Sequence, residues 1–293
     1  PAYCSCQIIM LPWGMLLCFS CARAIDPNLY ENVFMLNWPI FEKITEKVVS
    51  THAMDVLDLG CGPGQPSLLI AKTLPSAQVH ATDVQEEMIK KAKKRAEGVS
   101  NLKFSVVSAD DLSSFGSKSF DAVTMNYVLM FVPDKQKSLR EIGRVLRAGG
   151  RAFISVWKKN PFFTLTVKAY AQVAGEETMD FPMNPLALAK EGSMESLIEA
   201  THGLLVLEHE EMVSYPFPLG TADEACDAAM ILAGSWLEKL KNGGRVDAKE
   251  RFCESFVAKL EENGMKDGQV YKVVGAEAAL LSLKKPEMFN AEL

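Results

Sequence analysis

Histidine is scarce in this sequence, and several kinds of functional segment are missing. Only four histidines occur among 293 residues, and none stands in a motif that marks it as a catalytic base. The formal net charge of −6 argues against a nucleic-acid-binding surface, which needs a basic stripe. The sequence shows no internal repeat, no low-complexity tract and no apolar run long enough to span a membrane. We therefore expect neither a nucleic-acid partner nor an integral membrane span, whereas the oligomeric state stays unknown.

Neither a disulfide framework nor a metal site is predicted. The seven cysteines lack even spacing, which favours a reducing, cytoplasmic compartment. Four of them fall within the first 21 residues, but no histidine or acid lies between them. We therefore predict no metal ligand set there.

The role of residues 1–25 is left undefined by the sequence. Residues 1–22 carry no charged side chain, and Ile8–Phe19 is largely apolar. The basic region of a signal peptide is missing, and Pro12 and Gly14 interrupt the apolar run. A truncated organelle-targeting segment and an arm that covers a bound ligand both remain open.

A hydrophobic content of 48% is enough for one large domain, or for one domain with a cap. From Asp55 onward, apolar strands alternate with helical segments, which predicts an α/β fold with a parallel sheet and helices on both faces. The expected strands are Asp55–Leu59, Ala77–Thr82, Leu102–Val107, Phe120–Asn126, Arg151–Val156 and Leu204–Tyr215, with Gln269–Val274 and Ala278–Lys284 closing the sheet. The expected helices are Asp26–Ser50 (broken at Pro39), Ser67–Thr73, Gln85–Glu97, Ser138–Leu146, Ser193–Ala200, Ala222–Lys241 and Ala248–Glu262, with a helical insertion over Asn160–Pro185.

The most informative stretch is Asp-Leu-Gly-Cys-Gly-Pro-Gly, residues 58–64, where the first strand turns into a helix. Its glycines, Gly60, Gly62 and Gly64, can take positive φ and let the backbone approach a ligand at a helix N-terminus. The dinucleotide fingerprint needs a third glycine where Gln65 stands. This difference counts against a nicotinamide cofactor.

An acid, Asp83, ends the second predicted strand nineteen residues beyond Gly64. A carboxylate there can accept hydrogen bonds from both ribose hydroxyls of a nucleoside, although it can also cap the next helix. Val84 and Met88 follow where apolar side chains would sandwich an adenine ring.

The whole pattern resembles the class I S-adenosylmethionine-dependent methyltransferases. The resemblance spans residues 55–157 with the motifs in the family's order, and residues 141–157 resemble the ubiquinone/menaquinone-biosynthesis-like small-molecule methyltransferases, with Ala148 in place of the usual proline. It implies a Rossmann-like, seven-stranded, mostly parallel sheet with helices on both faces and a helical cap inserted after strand five. It also implies S-adenosyl-L-methionine as the cofactor and methyl transfer, by in-line displacement and without a metal, to a small-molecule acceptor of apolar or aromatic character.

The same resemblance implies the cofactor-binding residues. The loop would wrap the methionine part of the cofactor, and Asp58 would help to orient its amino group. Ser108 stands where the family has an acid that contacts adenine, so Ser108 or Asp110 would make that contact. Asn126 and Tyr127 would lie beside the transferable methyl group. The full predicted set is Asp58, Gly60, Cys61, Gly62, Gly64, Gln65, Asp83, Val84, Met88, Ser108, Ala109, Asp110, Asn126 and Tyr127.

Aromatic residues outside these motifs are candidates for a lid or for the acceptor pocket. Tyr30 and Trp38 precede the first strand, where the family often folds a helix over the cofactor. The candidate pocket walls are Phe162, Phe163, Tyr170, Phe181, Met183, Met230 and Trp236, with core packing as the alternative. We accordingly predict a cofactor-binding part over residues 26–157, followed by an acceptor-binding cap and C-terminal strands of the same domain over residues 158–293.

Two other functions remain open at this point. One is a nicotinamide-dependent oxidoreductase, although no Tyr-x-x-x-Lys pair is recognisable. The other is a cofactor-binding protein that has lost activity, for which Ser108 leaves room. No residue is predicted as the catalytic base.

Overall fold

A computed structural model describes residues 36–177 and 184–287, together with a two-residue ladder that pairs Ile9–Met10 with Leu16–Leu17. Except for that ladder, residues 1–25 lie outside the described residues, as does Tyr30. No helix in the described part of the chain has the length and apolar character that a bilayer crossing needs.

Helices and strands follow the alternation that the sequence predicts. The strands are β1 Asp55–Leu59, β2 Gln78–Asp83, β3 Leu102–Val106, β4 Phe120–Asn126, β5 Leu146–Lys159, β6 Val206–Ser214, β7 Phe217–Gly220, β8 Lys266–Asp267, β9 Val270–Val273 and β10 Glu277–Lys284. The helices are α1 Trp38–Ser50, α2 Ser67–Thr73, α3 Glu86–Arg95, α4 Lys135–Val145, α5 Pro161–Ala174, α6 Ser193–Glu199, α7 Ala222–Asn242 and α8 Ala248–Glu262.

A seven-stranded sheet in the order β3-β2-β1-β4-β5-β10-β6 forms the centre of one compact unit. Neighbouring strands in the series β3-β2-β1-β4-β5 pair in parallel. Strand β10 runs antiparallel to both of its neighbours, β5 and β6. Val56 and Leu57 of β1 are fully buried, as expected for a central strand covered on both faces. The predicted Rossmann-like, mostly parallel sheet is confirmed.

The strand order reverses between β1 and β4, because β2 and β3 lie on one side of β1 and the later strands on the other. In open α/β sheets, ligands bind outside the carboxyl ends of the strands at such a reversal. The segments after Leu59 and after Asn126 therefore border the expected crevice.

A second compact unit contains α5, α7 and α8 with a three-stranded sheet in the order β8-β9-β7. Its core includes Phe252 and Phe256, whose rings stack 6.1 Å apart. Cys226 of α7 and Cys253 of α8 are joined by a disulfide. Cysteine spacing did not predict this pair, because packing of the two helices brings together residues 27 positions apart.

Two local expectations from the sequence are wrong. Val270–Val273 does not close the large sheet, since it pairs with β7 and β8 in the second unit. Pro39 stands in the first turn of α1, where its missing N–H costs nothing, and the predicted helical residues 26–35 lie outside the described residues. Strand β5 begins at Leu146 rather than at the predicted Arg151, its register against β4 shifts between these two residues, and Gly149 donates to the Lys285 carbonyl.

Candidate functional site

The loop between β1 and α2 follows a path that side chains would obstruct. Gly60, Gly62 and Gly64 have φ values of +71°, +53° and +112°. A Cβ at Gly60 would lie 2.3 Å from a methyl carbon of Val128, in the turn after β4. The two segments that border the crevice thus meet at Gly60, and only glycine allows that approach.

Asp58 lies beneath this loop, fully buried. Its carboxylate accepts hydrogen bonds from the hydroxyl groups of Ser67 in α2 and of Thr124 in β4, the latter at 2.6 Å. Burial raises its pKa from 3.8 to about 6, although these two hydrogen bonds act in the opposite direction. Asp58 therefore joins β4 to the start of α2, the helix that follows the glycine loop.

Asp83, at the end of β2, joins the loop to the neighbouring strand. One carboxylate oxygen accepts the Gly62 N–H at 2.9 Å, and the other accepts the Gln85 N–H at 2.8 Å. Burial raises the pKa of Asp83. The next residue, Val84, is 63% exposed, which leaves an apolar surface beside the carboxylate. Met88, on the first turn of α3, is half-buried.

Ser108 and Asp110, the two candidates for the adenine contact, lie in direct contact. The Ser108 hydroxyl donates to the Asp110 carboxylate at 2.5 Å. Ala109 is buried between them in sequence, and its carbonyl accepts a hydrogen bond from the Ser138 hydroxyl of α4. Ser108 and Asp110, predicted as alternatives for the adenine contact, therefore form a hydrogen-bonded pair in the structure.

Asn126 and Tyr127 lie at the carboxyl end of β4, as the sequence predicts. The Asn126 side-chain oxygen accepts a hydrogen bond from the Ser155 hydroxyl of β5. Tyr127 has φ +54°, which is uncommon for a bulky residue, and its N–H donates to Ser155. Such backbone strain is frequent at functional sites.

The Tyr127 ring belongs to a cluster of aromatic side chains that the sequence did not predict. Tyr127 stacks on Trp157 with ring centroids 4.3 Å apart and an interplanar angle of 5°. Its hydroxyl lies 2.5 Å from that of Tyr215, which in turn donates to the Asn37 side chain at 3.1 Å. Because Tyr215 follows β6 and Asn37 precedes α1, no spacing in the sequence relates them to Tyr127.

Two predicted loop residues have side chains occupied by local structure. Burial holds the pKa of the Cys61 thiol far above its usual range, so this cysteine stays protonated. The Gln65 side-chain oxygen accepts the Leu69 N–H at 3.3 Å, at the start of α2. Their contribution to cofactor binding stays a prediction.

The predicted lid and pocket residues with described side chains belong to two different compact units. The Trp38 indole N–H donates to Glu42 on the surface of α1. In the second unit, Phe162 packs edge-on against Phe256 and Trp236 against Tyr170. Phe181 and Met183 lie outside the described residues. Among residues 36–177 and 184–287, no cluster of metal-ligating side chains was found.

Comparison with known proteins identifies the segment that carries this site. Residues 50–191 match the model of a methyltransferase domain family. This segment is a methyltransferase domain. The match covers just under half of the chain and includes the glycine loop, Asp83, the Ser108–Asp110 pair, Tyr127 and Trp157. The predicted resemblance is confirmed for this part of the chain.

Curated relatives match part of this chain. A ubiquinone biosynthesis O-methyltransferase from Xanthomonas oryzae is 36% identical over 121 residues, which are 41% of this chain and 50% of the relative. A ubiquinone/menaquinone biosynthesis C-methyltransferase from Desulfotalea psychrophila is 37% identical over 108 residues, which are 37% of this chain and 43% of the relative. The chain thus spans about half the length of the curated relatives it matches.

Solved structures share the fold of the methyltransferase domain. The YcgJ protein from Bacillus subtilis has a TM-score of 0.50 at 19% identity, covering 80% of this chain and 93% of that protein. The cyclase SpnF also has a TM-score of 0.50, at 20% identity, covering 80% of this chain and 75% of that protein. Since this fold is also found in a cyclase, activity must be argued from the site.

The close approach at Gly60 predicts a large effect of adding one methyl group. Gly60→Ala places a Cβ against three side-chain carbons of Val128 at 2.3–3.1 Å, so rotation of that stiff side chain does not relieve the clash. We expect a loss of about 2 kcal/mol or more in unfolding free energy, measured by urea denaturation.

Gly98→Ala is the matched control, because Gly98 also has positive φ (+81°) but has no atom within 4 Å of the added Cβ. This variant should show only the cost of the left-handed backbone, about 1 kcal/mol. Equal losses in the two variants would contradict the contact with Val128.

The raised pKa of Asp58 predicts a dependence of stability on pH. The folded pKa of about 6 exceeds the unfolded value of 3.8, so between them the folded chain retains a proton that the unfolded chain releases. The contribution of Asp58 to stability therefore falls as pH rises through this window. Asp58→Asn lacks this loss, and its unfolding free energy relative to wild type should rise by about 1 kcal/mol between about pH 5 and about pH 8.

Urea denaturation at both pH values measures this change. Asp267→Asn, at an exposed strand residue, is the control and should differ from wild type equally at both. A fall in the relative stability of Asp58→Asn with rising pH would show that the buried carboxyl does not have a raised pKa.

Proposed function

We propose that this protein is an S-adenosyl-L-methionine-dependent methyltransferase that transfers a methyl group to a small-molecule acceptor by in-line displacement. The methyltransferase domain match supports this activity, and the matched residues contain the site at the strand reversal. The curated relatives are named as O- and C-methyltransferases, which supports the same reaction class.

The single observation that carries the proposal is the position of Asp83. Its two oxygens accept one backbone N–H each, from Gly62 and Gln85, and an ionised carboxylate has further lone pairs. Two ribose hydroxyls can therefore bind to a carboxylate that is already oriented by the glycine loop. The exposed Val84 side chain lies next in the chain and is suited to the face of an adenine ring.

The other residues of the site also fit this cofactor. Gly60, Gly62 and Gly64 have positive φ and carry no side chains, so the backbone of this loop can approach the methionine part of the ligand. The Ser108–Asp110 pair offers oxygen acceptors for the adenine amino group. We infer that the pair, rather than either residue alone, makes that contact.

When bound, S-adenosylmethionine supplies an activated methyl group, and the protein supplies orientation and exclusion of water. In-line displacement requires the acceptor atom at about 3–3.5 Å from the methyl carbon. Asn126 and Tyr127 lie at the strand end where this approach is expected. Burial holds the pKa values of both Tyr127 and Tyr215 well above their usual range, so these hydroxyls stay neutral and serve as hydrogen-bonding groups.

The acceptor is proposed to be a small apolar or aromatic molecule. The relatives named for ubiquinone and menaquinone biosynthesis support this class, since ubiquinone and menaquinone combine a ring with an apolar chain. Neither a metal ion nor a nucleic-acid partner is part of the proposal.

Calorimetric titration with S-adenosylhomocysteine and, separately, with NADH tests the cofactor. We expect binding of the first alone, because Gln65 replaces the glycine that a dinucleotide needs. Gly62→Val should weaken binding by obstructing the loop. Binding of NADH alone would contradict the proposal and favour an oxidoreductase.

Asp83→Asn tests the residue that carries the proposal. The variant keeps the shape of the side chain but removes the charge and one acceptor, so the affinity for S-adenosylhomocysteine should fall about tenfold or more. Asp267→Asn should bind like wild type. Unchanged affinity of Asp83→Asn would remove Asp83 from the ribose site.

A further inference from the structure

A chain of hydroxyl groups connects the end of β4 with two distant elements. The Tyr127 hydroxyl lies 2.5 Å from that of Tyr215, and the Tyr215 hydroxyl donates to the Asn37 side-chain oxygen. Tyr215 is 6% exposed and directly follows β6, while Asn37 directly precedes α1. Three segments that are far apart in the sequence are thus joined at the edge of the sheet where the strands end.

The series of hydroxyl groups ends at Tyr127, a residue with a strained backbone. Tyr127 has φ +54°, and a left-handed conformation of a bulky residue persists only where its surroundings hold it. Trp157 supports the face of the ring by stacking, and Ser155 accepts the backbone N–H. The Tyr215 hydroxyl holds the remaining free end of the side chain.

The backbone of Tyr127 determines where the next residue lies. Val128 packs against Gly60, so closely that a Cβ at Gly60 would collide with it. A change in the Tyr127 conformation would therefore move Val128 relative to the glycine loop. This contact links the hydroxyl chain to the proposed cofactor site.

We propose that Tyr215 and Asn37 are positioning residues: by fixing the Tyr127 hydroxyl they hold the turn after β4, and with it the glycine loop, in the conformation that binds the cofactor. The inference rests on the proposed function. Tyr215 acts through Tyr127 and does not itself contact the ligand. The raised pKa values of the two tyrosines agree with this role, because a neutral hydroxyl keeps the proton that a hydrogen bond between the two oxygens needs.

Calorimetric titration of the full chain with S-adenosylhomocysteine tests the inference. Tyr215→Phe and Tyr127→Phe each break the same hydroxyl contact, and each should weaken binding about fivefold, the value of one typical hydrogen bond. The double variant should lose little more than either single variant, because the second change removes a contact that is already broken. Asn37→Ala, at a half-buried position, should weaken binding in the same direction.

Tyr271→Phe is the matched control. Tyr271 is 4% exposed and its hydroxyl donates to Glu261 at 2.7 Å, but it belongs to the second unit. This variant should lose thermal stability without losing affinity. Thermal unfolding of every variant establishes that binding is measured on folded protein, and a purely structural role for Tyr215 would lower the melting temperature alone.

The outcomes separate the two proposals. If wild type does not bind S-adenosylhomocysteine, the proposed function fails and this inference fails with it. If wild type binds and Tyr215→Phe binds equally well, the positioning role is overturned while the proposed function stands. Losses that multiply fully in the double variant would also overturn it, since the two hydroxyls would then act independently.

Discussion

One buried carboxylate joins the elements on which the site is built. Asp58 of β1 accepts hydrogen bonds from Ser67 of α2 and Thr124 of β4, and its own carbonyl accepts one from Thr82 of β2. Without partners, a fully buried carboxylate would be costly, so these elements must assemble around it. The glycine loop begins two residues later and takes its path from this arrangement.

At this edge of the sheet, the glycine loop is held by hydrogen bonds and is closely approached by the turn after β4. Asp83 ties the loop to β2, and Val128 presses on Gly60 from the turn after β4. The loop proposed to hold the cofactor is thereby built from backbone atoms and supported by the side chains of neighbouring elements. Such pre-organisation suits a reaction in which the cofactor carries the chemistry and the protein supplies geometry.

Most of the fold could be predicted from the sequence, because local patterns encode it. The run from Asp58 to Gly64 indicates the turn, and Asp83 follows at the end of the next apolar strand. The predicted β4 has the observed bounds. Strand alternation predicted the parallel sheet, yet it misplaced Val270–Val273, since a short strand of suitable character does not specify which sheet it joins.

Spacing within neighbouring segments was enough to predict the methyltransferase resemblance, the parallel sheet and the residues of the glycine loop. Tertiary packing was needed to reveal the Ser108–Asp110 hydrogen bond, the Cys226–Cys253 disulfide and the hydroxyl contacts that link Tyr127 through Tyr215 to Asn37. These contacts join segments up to 178 residues apart. Such pairings are set by how helices and strands pack, and no local periodicity records them.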